Sequence, residues 1–449
     1  MNAQVTIIGG GLAGSECALY LAKRGIKVRL FEMRPKKMTP AHNTGFLSEL
    51  VCSNSLKSKK PENASGMLKR ELELLGSSLI EIAHRCSVNA GDALAVDRDA
   101  FSRSVTKELE NKLEIVREQI TDIDELNIND GIVVIATGPL TSEALMNSLK
   151  DWFETQELHF FDAVSPIIDA QSIDYSKAFI ADRYGEPDEE GNIPEGDYVN
   201  CPMDKDEYAQ FYQALIDGEV IPIKDFERKR LFERCQPIEE IARSGVDAMR
   251  YGPMKPVGLI DPKTKKEPYA VVQLRKENQA GTMYNIVGFQ TRLKWPEQKR
   301  IIRKIPGLQR SEILRYGVMH KNAYINSPLL LNEDFSSKKN ENLFFAGQIS
   351  GVEGYVESIA SGHFVGMNIF NRLNHGENIA FPLETMMGGL FAYCSSAQDL
   401  KPMYANFGLL PALDKKVPKR QRRAAKSQRG LEVLLDFIKE KRIETGVEL

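Results

Sequence analysis

An α/β fold built around a parallel nucleotide-binding sheet is predicted by three stretches of this 449-residue sequence. Val5 to Ile8 runs directly into Gly9-x-Gly11-x-x-Gly14 and then a helical pattern. Ile132 to Ala136 is an apolar strand ending in Thr137-Gly138, and Leu343 to Ala346 is another, running into Gly347-Gln348. Short apolar runs of this kind, each leading into a glycine turn and a helix-like segment, are the pattern of strands buried on both faces.

Taken in order, the first strand is followed by a helix from Ser15 to Arg24, a stop at Gly25 and a second strand from Val28 to Glu32, which makes a βαβ start. The glycine spacing has a physical meaning in this context. Gly9 permits the tight turn, Gly11 lets the backbone approach a pyrophosphate, and Gly14 lets helix and strand pack closely. Gly10, Leu12 and Ala13 complete the loop, whose free N–H groups face the phosphates at the positive helix end. Glu32 closes the second strand, where a carboxylate accepts ribose hydroxyls and disfavours a 2′-phosphate. The competing reading, a glycine-rich turn with an incidental glutamate, fits the strand–loop–helix context poorly.

Arg34 to Lys60 is a long polar segment, and loops of that length in compact domains are usually functional. Helical patterns follow near Gly66–Gly76 and Arg98–Leu113. Ala181 to Tyr198 is acidic and turn-rich and marks a change of character. Thr137-Gly138 and Gly347-Gln348 resemble the elements that the glutathione-reductase type of domain sets beside FAD. The expected architecture is a Rossmann-like FAD-binding domain, discontinuous over 1–175 and 315–449, with an α+β domain inserted over 176–314.

The totals exclude several classes. Six cysteines without a CxxC pair argue against a disulfide framework or a zinc site, and no metal is expected. The apolar N-terminus has no basic leader and is broken by glycines, and no run of about 18 apolar residues occurs. A soluble cytoplasmic protein is expected. The net charge of −3 means that any polyanion must be met by local patches.

Longer blocks carry a wider resemblance. Leu50-Val51-Cys52-Ser53-Asn54-Ser55-Leu56, Gly252-Pro253-Met254-Lys255-Pro256-Val257-Gly258-Leu259 and Tyr284-Asn285-Ile286-Val287-Gly288-Phe289-Gln290-Thr291 are three of them. Tyr316-Gly317-Val318-Met319-His320, Ile325-Asn326-Ser327-Pro328 and Gly351-Val352-Glu353-Gly354-Tyr355-Val356-Glu357-Ser358 are the others. Together, over nearly the whole chain, they resemble the folate- and FAD-dependent RNA (uracil-5-)-methyltransferases, the TrmFO family. The chain departs from the family pattern at Pro296, where a glycine is expected. Longer flavoproteins acting on the wobble uridine share the first domain but need a further C-terminal region.

The resemblance implies that 5,10-methylenetetrahydrofolate donates a carbon, NAD(P)H reduces FAD, and the carbon reaches C5 of a uridine in the T-loop of tRNA. A sister branch acting on ribosomal RNA shares the motifs. C5 of uracil is a poor nucleophile until a thiolate adds at C6, so a cysteine in a polar setting is required. By residue alone Cys52, Cys201 and Cys235 compete for that role, while Cys17, Cys86 and Cys394 read as packing. The resemblance selects Cys235, beside Arg234, as nucleophile and Cys52 as the thiol next to the flavin. For folate, Tyr355 is a candidate to stack on the pterin and Glu353 to bind its donor edge, with Arg292 and Lys255 as partners for the anionic tail. His320 is a polar contact or a structural histidine.

Two basic clusters are candidates for RNA. Lys415 to Arg429 holds eight basic residues and no acid, among them Lys419, Arg420, Arg422 and Arg423. Lys224, Arg228, Lys229 and Arg230 lie close in sequence to Cys235. No RNA-recognition module is visible, so recognition would rest on shape and a splayed-out base. Two other functions fit fewer residues: an FAD oxidoreductase acting on a small molecule, and an RNA-binding flavoprotein without catalysis.

Overall fold

The computed structural model describes residues 4–445 apart from 40–41, 52–53, 155–157, 162–164, 184–195, 197, 222–236, 277–280, 318–321 and 399. The chain divides into two compact units, Met1–Phe160 with Asn322–Leu449, and Phe161–Lys321. The composition-based divisions were expected at 175/176 and 314/315.

The first unit is built on a five-stranded, wholly parallel sheet. Its strands are β1 (Gln4–Ile8), β2 (Lys27–Phe31), β6 (Glu114–Val116), β7 (Ile132–Ile135) and β16 (Leu343–Phe345), in the order β16-β7-β1-β2-β6. Strands β7 and β16 are apolar and buried along their whole length, which is why they read as continuous hydrophobic runs, whereas β2 alternates buried Val28 and Leu30 with the more exposed Lys27 and Arg29. Register pairs Ile8 with both Phe31 and Ile135, and Phe345 with Ile135. The C-terminal ends of four strands therefore meet at one edge, and Gly9, Glu32, Ala136 and Ala346 leave it side by side. This confirms the predicted fold class, with the site edge where open α/β sheets place their ligands.

The helix Leu12–Lys23 covers this sheet, and the helix Tyr355–His375 crosses it. A methyl group on Gly362 would lie 2.1 Å from the Ala13 carbonyl oxygen, so the two helices cross almost backbone to backbone. Glu16, fully buried, fastens the crossing. Its carboxylate accepts the Ser78 and Leu79 N–H groups at 3.2 and 2.8 Å and faces His363 Nδ1 at 2.8 Å. A small antiparallel sheet of β3 (Ser55–Ser58), β4 (Ser87–Val88) and β5 (Ala93–Val96), in the order β3-β5-β4, lies in the same unit. The chain also pairs β8 (Leu158–Phe161) with β15 (Asn322–Ile325).

Glu71 plays a similar part at the helix Met386–Ser396, accepting the Met386 and Met387 N–H groups at 2.6 and 2.9 Å from a fully buried position. Burial pushes its carboxyl up to about 8, with the two N–H groups pulling the other way. The folded chain thus holds this proton more tightly than the unfolded one. The associated stability is present below the ordinary carboxylate range and is lost as pH rises through about 8. Glu71→Gln is expected to flatten that part of the melting-temperature profile. Glu71→Ala, which strands two helix-end donors, should cost about 2–4 kcal/mol at any pH.

The second unit is an antiparallel six-stranded sheet in the order β10-β11-β12-β13-β9-β14. These are β9 (Ile167–Asp169), β10 (Phe179–Ile180), β11 (Tyr198–Met203), β12 (Ala270–Lys276), β13 (Met283–Ile286) and β14 (Ile313–Arg315). Its core gathers Val199, Cys201, Val272 and Ile286 from the strands with Phe211, Ile301 and Ile302 from helices. The helix Lys205–Ile216 opens with a full capping box, Asp204 and Glu207 each bonding the other's backbone N–H.

Candidate functional site

At the strand-end edge of the first unit lies an open pocket of about 1090 Å³, mouth included. Gly9, Gly11, Leu12, Ala13, Glu32, Thr137, Gly138, Gly347 and Gln348 line it, and so does Tyr355. The two expected residues missing from its wall, Gly10 and Gly14, act from behind.

The glycine loop has the form the sequence predicts. A methyl on Gly14 would lie 2.0 Å from the Gly9 carbonyl oxygen, so the helix presses on the turn that precedes it. Gly11, by contrast, meets nothing within 4 Å where a side chain would stand, because that direction opens into the pocket. It is also the N-cap of the helix Leu12–Lys23 and offers no side chain to the first-turn N–H groups. A helix end without a side-chain cap, with open space in front of Gly11, has the form that can hold a phosphate group.

Glu32 stands at the neighbouring strand end, nearly buried. Gly10 N–H reaches its carboxylate at 3.0 Å, Arg34 N–H and Nε reach it at 3.0 Å, and Arg34 Nη2 at 3.1 Å. Burial alone would raise this carboxyl, but the Arg34 guanidinium and the two N–H groups hold it below the usual carboxylate range. Its acceptor sites are thus shared among four donors, and any hydroxyl brought to it would have to join an existing network. Arg34 also reaches Glu49 at 3.3 Å, so its own charge is balanced twice. Burial lowers the neighbouring His42, which stays neutral more readily than a free histidine.

Arg34, His42, Glu49 and Gln119 all line the pocket and were not singled out from sequence. Three of them belong to the long loop whose length alone announced a function. Gln119 Nε2 is buried and has no hydrogen-bond partner among the described residues. On the far wall, Thr137 and Thr141 hydroxyls lie 2.6 Å apart and Thr141 donates to the Gly138 carbonyl at 2.7 Å. Tyr355 is the first residue of the helix Tyr355–His375, whose N-cap Gly354 again supplies no side chain. An orphan amide donor, a glycine opening and two uncapped helix ends suit a dinucleotide with an extended aromatic end.

The other candidates are spread more widely. Glu353 is half-buried, its N–H bonded to the Met403 carbonyl at 2.7 Å, and it does not line this pocket. Arg292, in the second unit, is nearly buried and paired with Glu240, and its N–H donates to Glu239 at 2.8 Å. Lys255 is exposed. Burial pushes the Cys201 thiol up to about 12, and raises Cys17 and Cys394 as well, so all three are poor nucleophiles. Cys52, Cys235, His320, Lys224, Arg228, Lys229 and Arg230 lie outside the described residues.

The C-terminal basic run divides in two. Lys426 donates to the Phe407 and Leu410 carbonyls at 2.9 and 3.0 Å, Arg429 to those of Ala412 and Pro411, and Arg422 to that of Val417. These three fasten the helix Arg422–Glu440 to the preceding chain. Lys415, Lys416, Lys419, Arg420 and Arg423 stand exposed.

Residues 4–377 match the family model of glucose inhibited division protein A. A Thermotoga maritima protein called methylenetetrahydrofolate–tRNA-(uracil-5-)-methyltransferase TrmFO is 55% identical over 441 residues, covering 97% of this chain and 99% of its own. The Natranaerobius thermophilus protein of the same name is 50% identical over 442 residues, covering 98% and 100%. Among solved structures, Aquifex aeolicus GidA aligns over 97% of this chain and 74% of its own, at 18% identity and a TM-score of 0.46.

Proposed function

This chain belongs to the glucose-inhibited division protein A family and, within it, to the TrmFO proteins, and on that premise we propose that it is an FAD enzyme that methylates C5 of a uridine in tRNA with methylenetetrahydrofolate. The observation that carries this reading is the pocket of the first unit, whose lining joins the glycine cradle, Glu32, Thr137, Gly347, Gln348 and Tyr355.

The residues present fit FAD. The Gly9–Gly14 loop and the helix end at Leu12–Ala13 would hold its pyrophosphate, Glu32 its ribose, and Thr137–Gly138 with Gly347–Gln348 its ring system. When bound and reduced by NADH or NADPH, the flavin supplies the electrons and relays the folate carbon. Tyr355 offers an aromatic face to the pterin, with Glu353 as acceptor for its donor edge. Arg292 is engaged by Glu239 and Glu240, so a folate carboxylate would have to compete with that pair.

Cys235 is the proposed nucleophile at C6 of the uracil. Its thiolate addition makes C5 an enolate carbon able to attack the one-carbon unit. Loss of the C5 proton and of the amine that carried the carbon would leave an exocyclic methylene on the base. A hydride of the kind the reduced flavin would supply, added to that methylene, would give the methyl group, expel the thiolate and restore the ring. Cys52 is the proposed partner in that proton removal.

The T-loop uridine is the proposed position. Incubating the protein with NADPH, labelled methylenetetrahydrofolate and either an unmodified tRNA transcript or a ribosomal RNA fragment tests this. Label in the T-loop as 5-methyluridine is expected. Label in ribosomal RNA alone would move the substrate, and label in neither with continued NADPH oxidation would favour a small-molecule oxidoreductase.

Lys419, Arg420 and Arg423 are the proposed phosphate contacts, with Arg422 in a supporting role. Reversing the three charges to Glu is expected to weaken tRNA binding and lower the log–log salt slope by about 2–3. An unchanged slope would remove this surface from the interface.

A further inference from the structure

The second unit displays an aromatic pair that the proposed chemistry does not use. Trp295 is the first residue of the helix Trp295–Ile302 and is 58% exposed. One face of its indole is covered by Tyr316, with ring centroids 5.2 Å apart and planes within 11°. A single exposed apolar side chain is ordinary and needs no explanation. This ring differs because a stacked tyrosine already packs against one side of it, leaving a flat indole surface open to solvent.

The sequence departure at Pro296 contributes. It falls in the first helical turn, where a missing N–H breaks no helix bond and the fixed φ stiffens the backbone that carries Trp295. Below the ring, Lys299 and Arg303 follow at spacings of four, which puts them on the same face. Arg303 lies close enough for its charge to act on the Tyr316 phenol. Lys294 and Arg300 are matched by Glu219 and Glu297 at 2.6 Å each. Lys299, Arg303, Lys304 and Arg310 are exposed and have no carboxylate partner among the described residues. An open aromatic face beside unmatched cations complements a base with its phosphates. An apolar protein partner would gain little from such flanks.

We propose that Trp295, held by Tyr316 and flanked by Lys299 and Arg303, is a stacking platform for an unpaired nucleotide of the RNA substrate. This inference rests on the RNA reading above. Sequence selectivity is not required of it, because every base offers a π-face.

Trp152 and Trp295 are the two tryptophans of the chain, so Trp152→Phe in the full-length holoprotein leaves one indole reporter. Titration with an RNA hairpin carrying an unpaired loop is expected to quench its emission, in step with binding followed by anisotropy. A fully paired duplex of equal length should bind with less quenching. Trp295→Ala is expected to weaken hairpin binding about tenfold or more, with Trp295→Phe recovering part of the loss. Hairpin binding without quenching, or equal quenching by the duplex, would overturn the platform and leave the RNA reading standing. Absence of any RNA binding would overturn both. If Trp295→Ala fails to retain flavin, the emission of the Trp152→Phe protein decides alone.

Discussion

Replacing Cys235 with Ala is expected to lower methyl transfer to RNA by at least about a thousandfold, because C5 of the uracil stays unactivated without addition at C6. Flavin content and NADPH oxidation without RNA are expected to survive, since the residues proposed to hold FAD are others, at Gly9–Gly14, Glu32, Thr137–Gly138 and Gly347–Gln348. Initial rates of 5-methyluridine formation, set beside the flavin-to-protein ratio, check this. Full activity in the variant would move the nucleophile to Cys52, because Cys201 is buried and its thiol is raised. Loss of flavin together with activity would make Cys235 a residue of the fold.

The second large effect is a contrast within the glycine loop. Gly11→Ala puts a methyl group into open pocket space, in the direction from which a pyrophosphate must approach. It should weaken FAD at least about tenfold while leaving the melting temperature of the flavin-free protein unchanged. Gly14→Ala drives a methyl to 2.0 Å from the Gly9 carbonyl oxygen, so it should lower both flavin affinity and stability. Equilibrium flavin titration and thermal melts on the two proteins separate these outcomes. Equal behaviour of the two variants would contradict the assignment of one glycine to ligand and the other to packing.

The glycine loop was legible in the sequence because its requirements are local. A backbone that must approach a phosphate and a helix that must touch a turn each demand glycine at a fixed offset, whatever surrounds them. Strands β7 and β16 were legible for a related reason, since burial along their whole length leaves an unbroken apolar run. Arg34 was not legible. Its role depends on the side chain folding back onto Glu32 and on the loop bringing Glu49 to its other side. Nor could the sequence tell Lys426 from Lys419 within one basic run. One meets two carbonyls from the Phe407–Leu410 segment, and the other meets solvent, a distinction made by tertiary contact alone. Arg292 shows the same limit. Its charge was visible, whereas its pairing with Glu239 and Glu240, some fifty positions earlier, was not.

Glu32 carries a finer lesson. Glu32 stands at the end of the second strand, and its electrostatics are set by Arg34, two residues on. A carboxylate already ion-paired discriminates less by charge than an isolated one, and more by the geometry of the network that a ribose must enter.

The central claim is that folate carbon becomes the methyl group of a tRNA uridine. Its most direct test supplies the purified holoprotein with an unmodified tRNA transcript, a reduced nicotinamide and methylenetetrahydrofolate labelled in its one-carbon unit. Label recovered in the 5-methyl group of uridine, dependent on the reductant, is the result this account predicts. No label from folate, together with methylation when labelled S-adenosylmethionine is offered instead, would contradict it.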